Sequence, residues 1–248
     1  MSRVLCVANQ KGGVGKTTTA VNLAFALARA GNRSLLVDLD PQCNATSNLG
    51  HSPAAHHPLL ATQTVREAVC RTATEGLEIL PGSAKFEDLN ELANASEADE
   101  QALTHRLTTG AASFDFVVID CPPSLGRLTE TALAASTEVL MPIQCEYFAM
   151  EGLTQMIQMI RKVMARRPNQ LQFGGILLTM YDDQLMLTRE VDDEVREFFG
   201  EIVFETVIPR DVAVAEAPSH RQSVIEYSPR SRGTRAYVEL CMEVLERD

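Results

Sequence analysis

The sequence predicts a doubly wound α/β fold, a mostly parallel sheet of seven or eight strands with helices on both faces. Short apolar runs alternate with helical stretches along its length, and runs such as Phe116-Val117-Val118-Ile119 and Gly175-Ile176-Leu177-Leu178 are apolar on both faces. Strands that offer neither face to water belong in a sheet covered on both sides. The 248 residues, 45% of them hydrophobic, supply one large core. That size is ordinary for one α/β unit, so residues 1–248 read as a single domain.

In chain order, strands are expected near 3–8, 34–39, 77–80, 115–120, 138–143, 173–179 and 203–208, with helices between most of them. Arg3 to Ala8 is a short apolar run, and Thr19 to Ala30 is an alanine- and leucine-rich helical stretch. Asn48 to Gln63, with Pro53 and Pro58 and the histidines His51, His56 and His57, reads as a surface loop. Leu153, Met156, Ile157, Ile160, Val163 and Met164 recur at helical spacing, and Arg161, Lys162, Arg166 and Arg167 suit that helix's C-terminal end. A last helix runs from about Arg235.

The turn between the first strand and the first helix reads Lys11-Gly12-Gly13-Val14-Gly15-Lys16-Thr17-Thr18. Glycines let backbone N–H groups converge on an anion, and the following helix offers unsatisfied amides and its positive dipole end. Lys16 is placed to neutralise terminal phosphates, Thr17 to ligate Mg²⁺ and Thr18 to hydrogen-bond an inner phosphate. The common pattern G-x-x-x-x-G-K-[ST] would put glycine where Gln10 stands, and this chain adds Lys11 instead.

Ligands of such folds collect at the carboxyl ends of the strands. There the chain reads Val37-Asp38-Leu39-Asp40-Pro41-Gln42-Cys43-Asn44 and Ile119-Asp120-Cys121-Pro122-Pro123-Ser124. Asp120 follows a hydrophobic strand, where a carboxylate can hold Mg²⁺ or its water shell. Asp38 and Asp40 flank one leucine; one could position the attacking water and the other support the metal, and the residues alone do not assign the roles.

No apolar run approaches the roughly 20 residues that cross a bilayer, and no cationic leader precedes the first strand, so a cytoplasmic location is expected. The six cysteines form no C-x-x-C pair and several sit in apolar strands, which favours reduced core thiols. The three loop histidines lack cysteine or carboxylate companions at ligand spacing.

The segments KGGVGKTT, DLDPQCN, VVIDCPPS, PIQCEYFAMEGL and VIPRDVAVAEAPSH resemble the deviant Walker A ATPases of the ParA/Soj partitioning family, nearly end to end. The wider group includes MinD and the nitrogenase iron protein. The resemblance implies a P-loop fold binding ATP and Mg²⁺ and an ATP-bound homodimer in which Lys11 reaches the partner's nucleotide while Lys16, Thr17 and Thr18 serve their own. It makes Asp40 the water-orienting residue, puts Asp38 and Asp120 around Mg²⁺, brings Pro209 and Arg210 near adenine, and sets Glu146 and Glu151 in the dimer-facing segment. It further implies slow ATP hydrolysis, nonspecific DNA binding, a nucleoid location and a ParB-like partner in chromosome or plasmid partitioning. The alternative is an orphan relative that positions a protein cargo through an adaptor.

Several positions depart from that pattern. Cys43 stands where relatives commonly carry glycine, a difficulty if the position needs positive φ. Arginines expected after the sixth and seventh strands are replaced by Tyr181-Asp182-Asp183-Gln184 and by Asp211-Val212-Ala213 following Arg210. The net charge of −11 also opposes nucleic-acid binding unless cations gather locally, as Arg161, Lys162, Arg166 and Arg167 do, and Arg221, Arg230, Arg232 and Arg235. A chain that starts on its first strand and stops at Asp248 leaves no room for a helix-turn-helix unit or a long C-terminal membrane helix, so neither sequence-specific DNA nor a membrane is expected.

Overall fold

The computed structural model describes residues 2–60, 64–85, 97–146, 149–166 and 171–247. Its strands are β1 (Arg3–Val7), β2 (Ser34–Asp38), β3 (Cys70–Arg71), β4 (Leu77–Leu80), β5 (Phe116–Asp120), β6 (Glu138–Gln144), β7 (Gln172–Tyr181) and β8 (Val203–Pro209). They form one sheet in the order β3-β4-β2-β5-β1-β6-β7-β8. The described pairings are parallel except β3 with β4.

The side-chain period of two divides each strand between two cores. Val4, Cys6, Leu35, Val37, Val117 and Ile119 face one, with Leu107, Leu128, Leu153, Ile160 and Val195 from the helices Glu97–Ala111, Arg127–Ala134, Ala149–Arg166 and Met186–Phe199. Leu5, Val7, Leu36 and Val118 face the other, under the helices Lys16–Arg29 and Arg232–Glu246. Burial on both faces is why these strands read as unbroken apolar runs.

The open edge at β8 is partly covered by a side chain. Glu243, on the helix Arg232–Glu246, accepts the N–H groups of Glu205 at 2.9 Å and Thr206 at 3.1 Å, so two strand donors are spent inside the molecule. At the opposite edge, β3 is a strand the periodicity did not announce, because two residues are too few to carry an alternation. The first helix begins at Lys16 rather than Thr19, since the phosphate-loop residues themselves form its first turn. Part of the expected 48–63 loop belongs to a short helix, Asn44–Asn48, and 61–63 lie outside the described residues. Among the described residues no helix is long and apolar enough to cross a membrane.

Candidate functional site

Central β1 lies between β5 and β6, so the chain leaves it at the point where the sheet's winding direction reverses. The turn that follows takes positive φ at Gly13 (75°) and Gly15 (88°), a backbone that side chains rarely adopt. Gly15 caps the helix without a side-chain hydrogen bond, which leaves the first amides of a 14-residue helix open to an anion.

Two polar side chains fix the turn against neighbouring strands. Asn9 donates its amide to the Pro142 carbonyl at 2.8 Å and accepts the Lys11 N–H at 3.0 Å. Thr179 Oγ1 lies 2.9 Å from the Val14 carbonyl and 3.0 Å from that of Ile143. Neither residue carries a motif, and their roles appear only when β6 and β7 close on β1.

The two lysines are held differently. Lys16 is buried and donates from Nζ to the Lys11 carbonyl at 2.9 Å, curled over the loop where a phosphate would lie. Burial lowers its pKa, opposed by the nearby charges of Asp120 and Asp40. Lys11 points away and pairs with Glu146 at 2.9 Å; the two side chains are 35% and 47% exposed. Gln144 donates to the other oxygen of Glu146. The side chain of Glu151 lies outside the described residues.

Asp38 and Asp120 end adjacent strands in direct register. Asp38 is a hub: Oδ2 accepts the Thr46 hydroxyl at 2.6 Å and the Thr46 N–H at 2.8 Å, and Oδ1 accepts the Asp40 N–H at 3.1 Å. Thr46 in turn accepts the Gly82 N–H at 3.0 Å. Burial nevertheless pushes the Asp38 carboxyl up to about 6, partly offset by Thr46. Asp40 Oδ1 accepts the Gln42 N–H at 2.9 Å and its carbonyl accepts the Cys43 N–H at 2.8 Å, which closes the turn.

Asp120 differs from both. It is fully buried, and among the described residues neither carboxylate oxygen has a well-formed hydrogen bond, the Thr17 side chain being the donor nearby. Desolvation and then Asp38 raise its pKa well above the ordinary value, against weaker stabilisation from Thr17 and Lys16. An orphaned buried carboxylate beside a helix-start threonine fits a hard divalent cation, which would supply the missing partner. Sequence position identified Asp120, but only the fold shows that its buried oxygens are left with little beside them except Thr17.

Asp120→Asn is accordingly expected to stabilise the ligand-free chain by about 1–3 kcal/mol at neutral pH while weakening magnesium-dependent nucleotide binding. The sign follows from the raised folded-state pKa: the folded form holds the proton more tightly, so stability falls as pH rises from the unfolded value upward. Urea unfolding of both proteins across pH 5–8 checks this, the variant showing the shallower decline.

Cys43 takes the left-handed conformation, φ 51° and ψ 35°, as the departure from glycine implied. Its Sγ is buried, and a methyl built on Gly82 would meet it at 3.2 Å, so the sulfur fills the space beneath the turn. Cys43→Gly should relieve about 1 kcal/mol of backbone strain but lose a similar amount in packing and more in chain entropy. The expected net is a destabilisation of about 1 kcal/mol, read as a lower thermal midpoint.

Beside Thr17 and Thr18 opens a cavity of about 310 Å³ lined by Asn44, Ser47, Asn48 and Pro218. Asn48 Oδ1 is buried without a hydrogen-bond partner among the described residues. The polar run Asn44-Ala45-Thr46-Ser47-Asn48 after the aspartate turn was the available signal for this wall. Pro209 and Arg210 end β8 on the same sheet edge, but no described contact joins them to the phosphate loop; Arg210 donates its N–H to the Tyr181 carbonyl at 2.9 Å. All six cysteines are free, with Cys6 and Cys121 sulfurs 3.3 Å apart. Buried His57 packs against the aspartate turn, its Nε2 3.4 Å from the Asp38 carbonyl.

A family model described as an AAA domain matches residues 2–173. The chain is 42% identical over 249 residues to the sporulation initiation inhibitor protein Soj of Bacillus subtilis, covering 98% of each. It is 42% identical to the chromosome-partitioning ATPase Soj of Treponema pallidum, covering 100% of this chain and 99% of that protein. Among solved structures, a cobyrinic acid a,c-diamide synthase from Mycobacterium smegmatis with bound ADP and magnesium is 37% identical, with a TM-score of 0.84 over 99% of this chain and 94% of that one. Likeness of this extent runs through the phosphate loop, the aspartate turn and the closing helices alike, and the chain belongs to the ParA/Soj family of chromosome-partitioning ATPases.

Proposed function

We propose that this chain is an ATP-dependent dimerisation switch with slow, partner-stimulated hydrolysis, acting in partitioning of chromosome or plasmid copies through nonspecific DNA binding and a ParB-like protein. One observation carries the reading: of two lysines on one phosphate loop, Lys16 is folded inside and Lys11 faces outward on a half-exposed ion pair. An inward lysine serves its own nucleotide. An outward one is free to serve a neighbour's, adding positive charge where the transition state gains negative charge.

The same reading assigns the remaining roles. The amides of Gly12, Gly13, Val14 and Gly15 cradle the phosphates, and Thr18 contacts an inner one. Thr17 and Asp120 would hold Mg²⁺, with Asp38 supporting them by fixing Thr46 and the Asp40 turn. When bound, the cation neutralises phosphate charge. Asp40, buried close enough to Lys16 to feel its charge, orients the attacking water. Pro209 and Arg210 approach the adenine side.

DNA is assigned to the C-terminal arginines. Lys162 and Arg166 share one acid, Glu130, at 2.7 and 3.7 Å, so part of that cluster's charge is offset, and Arg167 lies outside the described residues. Arg210, Arg221, Arg230, Arg232 and Arg235 form no ion pair among the described residues, and Arg232 donates to the Arg210 carbonyl. Such cations suit a cytoplasmic, nucleoid-associated protein. The cargo-positioning alternative keeps the switch without the DNA.

The test is Asp40→Ala. Light scattering should show dimers persisting in ATP, and phosphate release should fall by about 10²-fold or more. Normal turnover would reassign the residue. Retention on DNA with ATP, ADP or no nucleotide, over a salt series, then separates the DNA-riding switch from the cargo alternative.

A further inference from the structure

At the end of the sheet opposite the phosphate loop lies a cavity of about 390 Å³, lined by Arg33, Arg66, Arg71, Glu75, Glu78 and Phe114 among others. Its residues come from segments distant in sequence. Arg33 and Phe114 precede β2 and β5, Glu78 lies on β4, Arg71 on β3, and Arg66 on the helix Val65–Ala68. Strands of five residues separate it from the nucleotide edge by about 15 Å.

Arg66 and Arg71 are matched in number by Glu75 and Glu78, yet no ion pair joins them among the described residues. Arg33 is spent on Asp115, with contacts of 2.8 and 3.1 Å. Among the described residues Arg66 donates to the Ser113 hydroxyl, at 2.6 Å, and forms no ion pair. Arg71 stands directly across from Glu78 in the β3–β4 register, yet forms no ion pair among the described residues. Two guanidinium groups and two carboxylates thus share one recess without pairing among the described residues, leaving the donors of both arginines open to a ligand. The glutamates beside them carry only acceptors, suited to hydroxyl groups, and Phe114 supplies an apolar floor.

We infer that this cavity binds a sugar phosphate, free or as part of a nucleotide: Arg66 and Arg71 take the phosphate, and Glu75 and Glu78 take the sugar hydroxyls. Planar guanidinium groups match phosphate oxygens in geometry and charge, and the volume falls within the range of small-molecule sites. None of the roles proposed above for the ATPase uses these residues. The site would let a metabolite report on the ATPase from its far side.

The probes are ribose 5-phosphate, AMP and inorganic phosphate, titrated calorimetrically into the full chain with its phosphate loop filled by one equivalent of ADP with Mg²⁺ and no free nucleotide, because free ADP would itself compete for the cavity. Saturable binding of ribose 5-phosphate is expected, weakened about tenfold or more by Arg71→Gln and by Arg66→Gln. Both variants should keep ADP affinity and thermal midpoint, since both side chains are exposed. AMP binding more tightly than ribose 5-phosphate would point to a nucleotide source, and equal binding to the sugar phosphate alone. Inorganic phosphate binding as tightly as the sugar phosphate, no saturable heat, indifference to both substitutions, or displacement of the probe by DNA would each overturn the assignment.

Discussion

Lys16→Ala is expected to remove nucleotide binding, lowering ATP affinity by about 10²- to 10³-fold, the scale for deleting one partner of a desolvated charge pair. The side chain is buried, and its ammonium already rests on the Lys11 carbonyl inside the loop. A phosphate entering there replaces a neutral carbonyl with full negative charge. Loss of the lysine also strips Asp120 and Asp40 of a nearby cation, so some loss of stability is expected in the nucleotide-free state. Lys16→Gln keeps the volume and separates the two effects. Anisotropy of a fluorescent ATP analogue reads the affinity, and a thermal melt confirms the fold. ATP binding within a few fold of the parent would remove Lys16 from the site.

Lys11→Ala should act at the other level, leaving ATP affinity within about threefold but abolishing ATP-dependent dimers, because its ammonium stands outside its own loop. The structure adds a second variant. Glu146 holds Lys11 within the subunit, and Gln144 holds Glu146. A pair this exposed contributes about 0.5–1 kcal/mol, too little to withstand a triphosphate from a partner. Glu146→Gln should therefore shift dimerisation to about two- to fivefold lower protein concentration with ATP, and change nothing with ADP. Light scattering at several concentrations measures both variants. ATP-dependent dimers formed normally without Lys11 would defeat the cross-subunit role, and weaker dimers in Glu146→Gln would make that glutamate part of the interface instead.

Much of this molecule could be read before folding. Seven of the eight strands stand where apolar runs placed them, because a strand buried on both faces leaves no polar position to confuse the pattern. β3 was missed for the opposite reason: at an edge, with two residues, Cys70–Arg71 has no period to detect. Cys43 shows a middle case. The family pattern flagged the position as one wanting glycine, and the chain does adopt positive φ there. That the sulfur fills a space under Gly82 follows only from packing.

The three aspartates show where legibility stops. In sequence they are alike, acids at strand ends, and Asp38 and Asp40 could not be told apart. In the fold Asp38 has its oxygens taken by Thr46 and by the backbone of Asp40, while those of Asp120 have no well-formed hydrogen bond among the described residues. The difference comes from which donors the closed sheet brings near.

The chain's own residues determined the parallel sheet, the phosphate loop between β1 and its helix, and the presence there of two lysines. Those are local matters: apolar periodicity, glycine freedom and residue type act over a few positions. The tertiary structure decided the partners, setting Lys11 against Glu146 across 135 positions and Val14 against Thr179 across 165. Partners so distant meet only when the sheet closes, and the strand order that brings them together is fixed by burial of the whole core rather than by any short segment.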